Sequence, residues 1–248
     1  MKTFNVIKLN EISTRAPKGW DKETTKAKTA EVLEELDDYQ NLLYAGGKES
    51  MLIILQGMDA SGKDGVIKNV FSYINPQGIS VKSFKAPSTD ELSHDFLWRI
   101  HQHAPSKGMI QLFNRSHYED VLITRVHKWC DDETAYKRME AINHFEELLQ
   151  EHNDTTILKF YLHISREEQQ QRFDERLKNP MKRWKHNPKD HEEAKLWDDY
   201  QKAYEDCFER CNKVPWEIVP ADQNWYKEHL IATRVIETLK GMKLKYPE

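Results

Sequence analysis

Met51-Leu52-Ile53-Ile54-Leu55-Gln56, running directly into Gly57-Met58-Asp59-Ala60-Ser61-Gly62-Lys63-Asp64-Gly65, decides the fold of this chain. The apolar run is too short for a helix of its own and reads as a buried strand that Gly57 stops. A helix is expected beyond the loop, over Val66 to Ile74. Glycines at 57 and 62 let the backbone turn tightly. Successive amide N–H groups and the helix N-terminus can then face an anion, and Lys63 adds a point charge. Gly57, Ala60, Ser61, Gly62 and Lys63 are therefore candidate phosphate contacts, with Asp64 and Lys68 beside them. The plainer alternative is a tight strand-to-helix turn with a surface lysine. The strand before and the helix after favour the phosphate loop.

Position 64 departs from the usual pattern, in which Ser or Thr follows the lysine to hold Mg²⁺. Asp64 is a hard oxygen donor and a metal ligand could have moved to the acids, with Asp59 a candidate inside the loop. Equally, Asp64 can be an acid in the first turn of a helix, favoured by the dipole.

Outward from the loop the pattern alternates. Strands are expected at Ile79 to Phe84, Met109 to Phe113, Ile157 to Ile164 and Trp216 to Val219. Helical stretches fall at Glu91 to His101, His117 to His127, Glu133 to His152, Arg166 to Leu177 and Asn224 to about Lys240. Strands separated by helices mean βαβ units, hence an α/β fold: a three-layer α/β/α arrangement of P-loop kinase-like type around a parallel sheet of about five strands. One domain over 1–248 is expected, with an N-terminal arm and helix over about 1–47. That helix is capped by Asp21 and stopped at Gly46-Gly47. Lys178 to Asp190, with Pro180, Pro188 and many cations, breaks the rhythm before a helix over about 192–210, so residues 172–210 read as a helical lid.

The 248 residues suffice for such a domain, which buries roughly 70–75% of its unfolded surface. Charged residues make up 31%, above the usual ~25%, around a modest core. The net charge of −4 argues against a protein that coats nucleic acid. No apolar stretch approaches the ~18 residues of a membrane span, and Met1 to Asn10 lacks a signal-peptide core. Cys130, Cys207 and Cys211 form no disulfide framework and fit a reducing compartment. The expectation is a soluble cytoplasmic protein. Charge is segregated, however: Arg172 to Lys189 carries seven Lys/Arg against Asp174 and Glu175, so this segment is +5 and the remainder −9.

A second cluster, Asn114-Arg115-Ser116-His117-Tyr118-Glu119-Asp120, follows the strand ending at Phe113. Ligands of open α/β sheets bind at the carboxyl ends of strands, so this cluster should face the loop if the two strands are neighbours. Asn114 stands where a strand-end acid would be expected. Arg115 suits a bidentate phosphate contact. His117 is a helix-start histidine before it is an acid–base candidate, and Arg125 further along could make a surface ion pair.

The chain resembles the polyphosphate kinase 2 family. The resemblance runs from about Trp20 to Trp225 and rests on GMDASGKDG at 57–65, FKAPSTDELSHDFLWR at 84–99, FNRSHYEDVL at 113–122, ERLKNPMKRWK at 175–185 and VPADQNWY at 219–226. The FNRSHYED form looks like the subgroup that phosphorylates both nucleoside mono- and diphosphates, whereas the diphosphate-specific subgroup typically reads FDRSWYNR. The resemblance implies reversible phosphoryl transfer between inorganic polyphosphate and AMP or ADP, with Mg²⁺ as cofactor and guanine nucleotides as further candidates. It also implies a homo-oligomer, dimer or tetramer, acting without nucleic acid or membrane. Matched by motif, Asp59, Lys63, Arg115, Glu119 and Asp120 look like the catalytic set, with Asp59, Glu119 and Asp120 as metal ligands. Lys85, Pro87, Thr89 and Asn114 look like nucleotide contacts. Arg172, Arg176, Lys182 and Lys185 match the polyphosphate-contacting region, with Lys68 and Arg125 in support.

Phosphoryl transfer asks mainly for in-line positioning and charge neutralisation, and no protein nucleophile is needed. The alternatives are an ATP-dependent P-loop kinase of nucleoside monophosphates or small metabolites, and a noncatalytic binding module that stacks bases on Trp184. Acids and cations mixed at the strand ends disfavour the module.

Overall fold

The computed structural model describes residues 7–247; the start of the predicted N-terminal arm, residues 1–6, and residue 248 lie outside the described residues. Five strands, β1 Ser50–Gln56, β2 Ile79–Ser83, β3 Ile110–Asn114, β4 Thr155–His163 and β5 Trp216–Pro220, form one parallel sheet in the order β2-β3-β1-β4-β5. Every pairing is parallel, so all carboxyl ends lie at one edge. β1 is buried along its whole length, as its unbroken apolar run requires. Each fully buried Leu or Ile there contributes roughly 1.5–3 kcal/mol.

Helices cover both faces. On one face α1 (Lys22–Gly46) and α2 (Lys63–Phe71) pack with α10 (Asn224–Gly241). Asp21 caps α1 by accepting from the Thr24 amide, and Gly47 ends it in the left-handed region, as the sequence predicts. On the other face lie α6 (Asp132–Asn153) and α9 (Trp197–Arg210).

Three predicted helices are interrupted. The stretch 91–101 becomes two single turns, α3 (Thr89–Leu92) and α4 (Trp98–His101). Ser88 and Glu91 form a capping box that starts the first, and the Asp95 carboxylate accepts from the Leu97 amide in the break between them. The stretch 117–127 divides at Leu122 into a 3₁₀ helix, His117–Val121, and α5 (Ile123–Val126). The segment after α7 (Arg166–Lys178) holds a short 3₁₀ turn at Arg183–Lys185, then α8 (Lys189–Lys195), which Leu196 separates from α9.

Behind the site lies a buried ionic cluster. Lys159 on β4 donates to Glu146 Oε2 at 2.8 Å, to the Tyr118 hydroxyl oxygen at 2.7 Å and to the Cys211 carbonyl at 2.9 Å. Tyr118 in turn donates to Glu146 Oε1 at 2.7 Å. Lys159 and Glu146 are both fully buried, so the pair fixes the 117–121 turn to the sheet and to α6. Breaking such a pair from one side leaves an unpaired buried charge. Lys159→Met is expected to lose about 3–5 kcal/mol of stability in urea denaturation, and adding Glu146→Leu is expected to recover part of it. An additive double variant would contradict the coupling.

Candidate functional site

The loop leaves β1 through Gly57, at φ 149°, where a Cβ would lie 2.8 Å from the Leu162 carbonyl oxygen; only glycine fits. Ala60 (φ 62°) and Gly62 (φ 97°) are left-handed, and their alternation with ordinary residues bends the chain into a concave run of amides. α2 begins at Lys63 itself, three residues before the predicted start. The buried Lys63 ammonium donates to the carbonyls of Gly57 (2.8 Å) and Met58 (3.3 Å). Burial, reinforced by the Arg115 cation, brings this lysine down to about 8.

β3 is the neighbour of β1, with Leu55 opposite Asn114, so the second cluster does face the loop. Arg115, at φ 61°, turns the chain sharply after the strand. Its guanidinium donates to Asp59 at 2.5 Å and to Glu119 at 3.3 Å. Glu119, then Asp59, keep Arg115 firmly protonated despite its burial. Burial would raise Asp59, but Arg115 and Lys63 outweigh it and hold the carboxyl below its usual range. Asn114 donates to Asp64 at 2.9 Å.

Asp120 is elsewhere. Its carboxylate lies 3.5 Å from Arg99, and burial raises its pKa against that cation's pull. The expected triad of metal acids is thus not assembled: among the described residues no group of three or more His, Cys, Asp or Glu is arranged to hold a metal. Asp59 and Glu119 remain together, joined through Arg115. Two carboxylates at a phosphate site do suit Mg²⁺, which draws its other ligands from water and phosphate oxygens.

Arg99 also donates to the Lys85 carbonyl at 2.9 Å, which ties the 84–99 segment to Asp120. Lys85 and Thr89 are exposed and Pro87 half-buried in that segment. Arg172 departs from its expected lid role. Its guanidinium donates to the carbonyls of Ala60, Ala221 and Asp222 and to Glu168, so it braces the loop from behind instead of reaching for a phosphate chain. Arg125 pairs with Asp132 and Asp206, both at 2.8 Å, which places it among helix carboxylates. Lys68 is exposed in the last turn of α2.

The remaining cations lie in the segment 172–210, expected from the sequence to be a lid. Arg176 pairs with Asp190 at 3.0 Å, Lys182 with Glu175 at 2.7 Å, and Lys185 reaches back to Asp64 at 2.7 Å. Lys185 and Asn114 hold Asp64 low, overcoming the effect of burial. A cavity between loop and lid is lined by Gly57, Asp59, Arg115, Glu119, Glu193 and Tyr204. Gln169, which donates to the Asp59 carbonyl at 2.9 Å, and Tyr204 had no sequence signal, since both arrive from helices distant along the chain. His117 is fully buried, with Nε2 at 3.4 Å from Glu146 and no partner at Nδ1 among the described residues; it cannot present a nucleophile to the loop.

A parallel sheet whose β1 runs into a glycine- and lysine-bearing loop, with an arginine from the next strand end and a cationic helical segment beside it, defines a P-loop kinase-like α/β enzyme. The family model described as Polyphosphate kinase 2 (PPK2) matches residues 19–247. The AMP/ADP-polyphosphate phosphotransferase of Meiothermus ruber is 48% identical over 215 residues, 86% of this chain and 80% of that protein. The ADP-polyphosphate phosphotransferase of Rhodopseudomonas palustris is 44% identical over 230 residues, 87% and 79%. The crystal structure of polyphosphate kinase 2 from Arthrobacter aurescens TC1 superposes with a TM-score of 0.95 at 39% identity, covering 99% of this chain and 89% of that one. The chain belongs to the polyphosphate kinase 2 family.

The Lys185–Asp64 pair is the lid's ionic contact with the first turn of α2. Asp64→Ala is expected to change stability by no more than ~0.5 kcal/mol, because the pair is largely exposed, while trypsin cleaves within 178–190 several-fold faster. Unchanged cleavage would show that the pair does not hold the lid.

Proposed function

We propose that the chain catalyses reversible phosphoryl transfer between inorganic polyphosphate and adenine nucleotides, with AMP and ADP as acceptors and Mg²⁺ as the metal. The observation that carries this reading is the meeting of Lys63 and Arg115 at one sheet edge beneath a lid whose cations continue outward from the loop. A single nucleoside triphosphate needs only the first of these features. A long polyanion uses both, and the names of the M. ruber and R. palustris relatives support the same donor.

In this reading the loop amides of 60–63 and the Lys63 ammonium hold the donor's terminal phosphate. Arg115 neutralises charge on the group in transit, which is the main demand of such a reaction. Asp59 and Glu119 would hold Mg²⁺, which supplies further neutralisation when bound. Arg176, Lys182 and Lys185 leave their carboxylate partners for the polyphosphate chain; the Lys182 and Lys185 pairs are exposed enough to give way at little cost, and the less exposed Arg176–Asp190 pair is exchanged for a phosphate contact. The nucleotide lies toward 85–89 and Asn114, with Arg99 and Asp120 behind. Its own phosphate oxygen is a competent acceptor, so transfer is direct, and lid closure keeps water from competing. No helix among the described residues is long and apolar enough to cross a membrane, and a soluble, cytoplasmic setting is part of the proposal.

Incubation with Mg²⁺, polyphosphate and AMP, without ATP, is expected to yield ADP and then ATP. Use of ADP but not AMP would contradict the acceptor assignment, and no product from either would contradict the donor. Lys63→Ala is expected to lower turnover roughly 10²–10³-fold without loss of fold. The pH dependence has a definite sign: Lys63 must be protonated, so kcat/KM, which reports the free enzyme, falls as pH rises through about 8. A value that rises across this range would contradict the role.

A further inference from the structure

Lys227, in the first turn of α10, is a buried lysine that the transfer reading does not use. Its side chain is inaccessible to solvent. The Nζ donates to the Ser61 carbonyl and to Asn224 Oδ1, each at 3.0 Å. Both acceptors are neutral, and among the described residues it has no carboxylate partner. An ammonium withdrawn from water without a counter-charge is costly, and the cost is relieved by an anion brought near it.

The lysine lies directly against the phosphate loop: a Cβ on Gly62 would collide with its Nζ and come within 3.3 Å of Arg172 Nη1. The carbonyls of Ala60 and Ser61, consecutive in the loop, are thus each held by a cation, Arg172 and Lys227. In a trans peptide the C=O and the following N–H point in opposite directions. Fixing the Ser61 carbonyl on Lys227 therefore aims the Gly62 N–H away from Lys227, and that N–H has no backbone acceptor among the described residues.

We infer that Lys227 is a positioning residue for phosphoryl transfer: it sets the Ser61–Gly62 peptide so that its N–H faces the donor phosphate, and its unpaired charge is balanced only when a polyanion occupies the loop. This rests on the phosphate-loop reading above. The groups facing Lys227 agree with it. Burial, with Arg172 on α7 and Lys63 at the start of α2, brings its ammonium down to about 7 against the pull of Glu228 on its own helix and Glu168 on α7. A phosphate chain in the loop reverses that balance and draws a proton onto the lysine.

The test is Lys227→Met, which keeps the length and removes the charge. Tripolyphosphate binding by calorimetry is expected to weaken about tenfold, the size of one misdirected amide hydrogen bond to a charged phosphate. KM for polyphosphate is expected to rise in step, with KM for ADP within twofold of wild type and a melting temperature equal to or above wild type. Unchanged tripolyphosphate affinity overturns the inference. So does a lowered melting temperature with both KM values rising together, which is what a merely structural lysine gives. If the variant does not fold, wild-type protein labelled at lysine ¹³Cε carries the test. Two lysines are expected to titrate below pH 9, Lys63 and Lys227, and both to move upward with tripolyphosphate; fewer than two overturns the inference. A wild-type chain that fails to bind tripolyphosphate at all defeats the phosphate-loop reading itself, and this inference with it.

Discussion

The parallel pairing of β1 with β3 is the constraint on which the site depends. With Leu55 set opposite Asn114, the loop that leaves β1 and the turn that leaves β3 must emerge side by side. The chain enters β1 from α1 and later skips across it from β3 to β4, so the two loops open at the point where the strand order reverses, where open α/β sheets bind ligands. Lys63 and Arg115 are 52 positions apart in sequence and are brought together by this register alone. The Asp59–Arg115 ion pair then joins the two loops directly.

Several of the candidate site's cations rest on an internal substitute for phosphate. Lys63 rests on its own loop's carbonyls, Arg115 lies between Asp59 and Glu119, Arg176 is on Asp190 and Lys185 is on Asp64. The Lys182 and Lys185 pairs are partly exposed and weakly held, Arg176–Asp190 and the Arg115 pairs are half-buried, and Lys63 is buried. In the proposed function a polyanion takes the place of these internal acceptors. The buried Lys159–Glu146 pair serves a different purpose, keeping the turn that carries Glu119 fixed to the sheet.

The strands and the phosphate loop were legible because their signals are local. An unbroken apolar run marks β1, an apolar run interrupted by Lys159 marks β4, and glycine spacing marks the loop. The roles of Arg172 and Asp120 were not. Arg172 stands in a cationic run and reads like its neighbours, but α7 packs back against β1's loop and turns this one guanidinium inward. Glu119 and Asp120 read as a pair of adjacent acids; on a 3₁₀ helix consecutive side chains diverge by about 120°, so one meets Arg115 and the other Arg99. The break inside 91–101 depends on the Asp95 side chain capturing a backbone amide, a choice that helical periodicity does not register. Lys227 carried no signal of its own, since a lysine after the 219–226 motif is indistinguishable from a surface residue until α10 is seen to bury it under the loop.

The central claim is that the loop at 57–63 takes the phosphate that is transferred. A crystal structure of the chain with tripolyphosphate and AMP tests it most directly. A terminal phosphate is expected on the amides of 60–63, with the Lys63 ammonium moved from the Gly57 carbonyl onto its oxygens and Arg115 released from Asp59 toward the same group. A phosphate chain bound elsewhere, with Lys63 still on the Gly57 carbonyl and the Arg115 pairs intact, would contradict it.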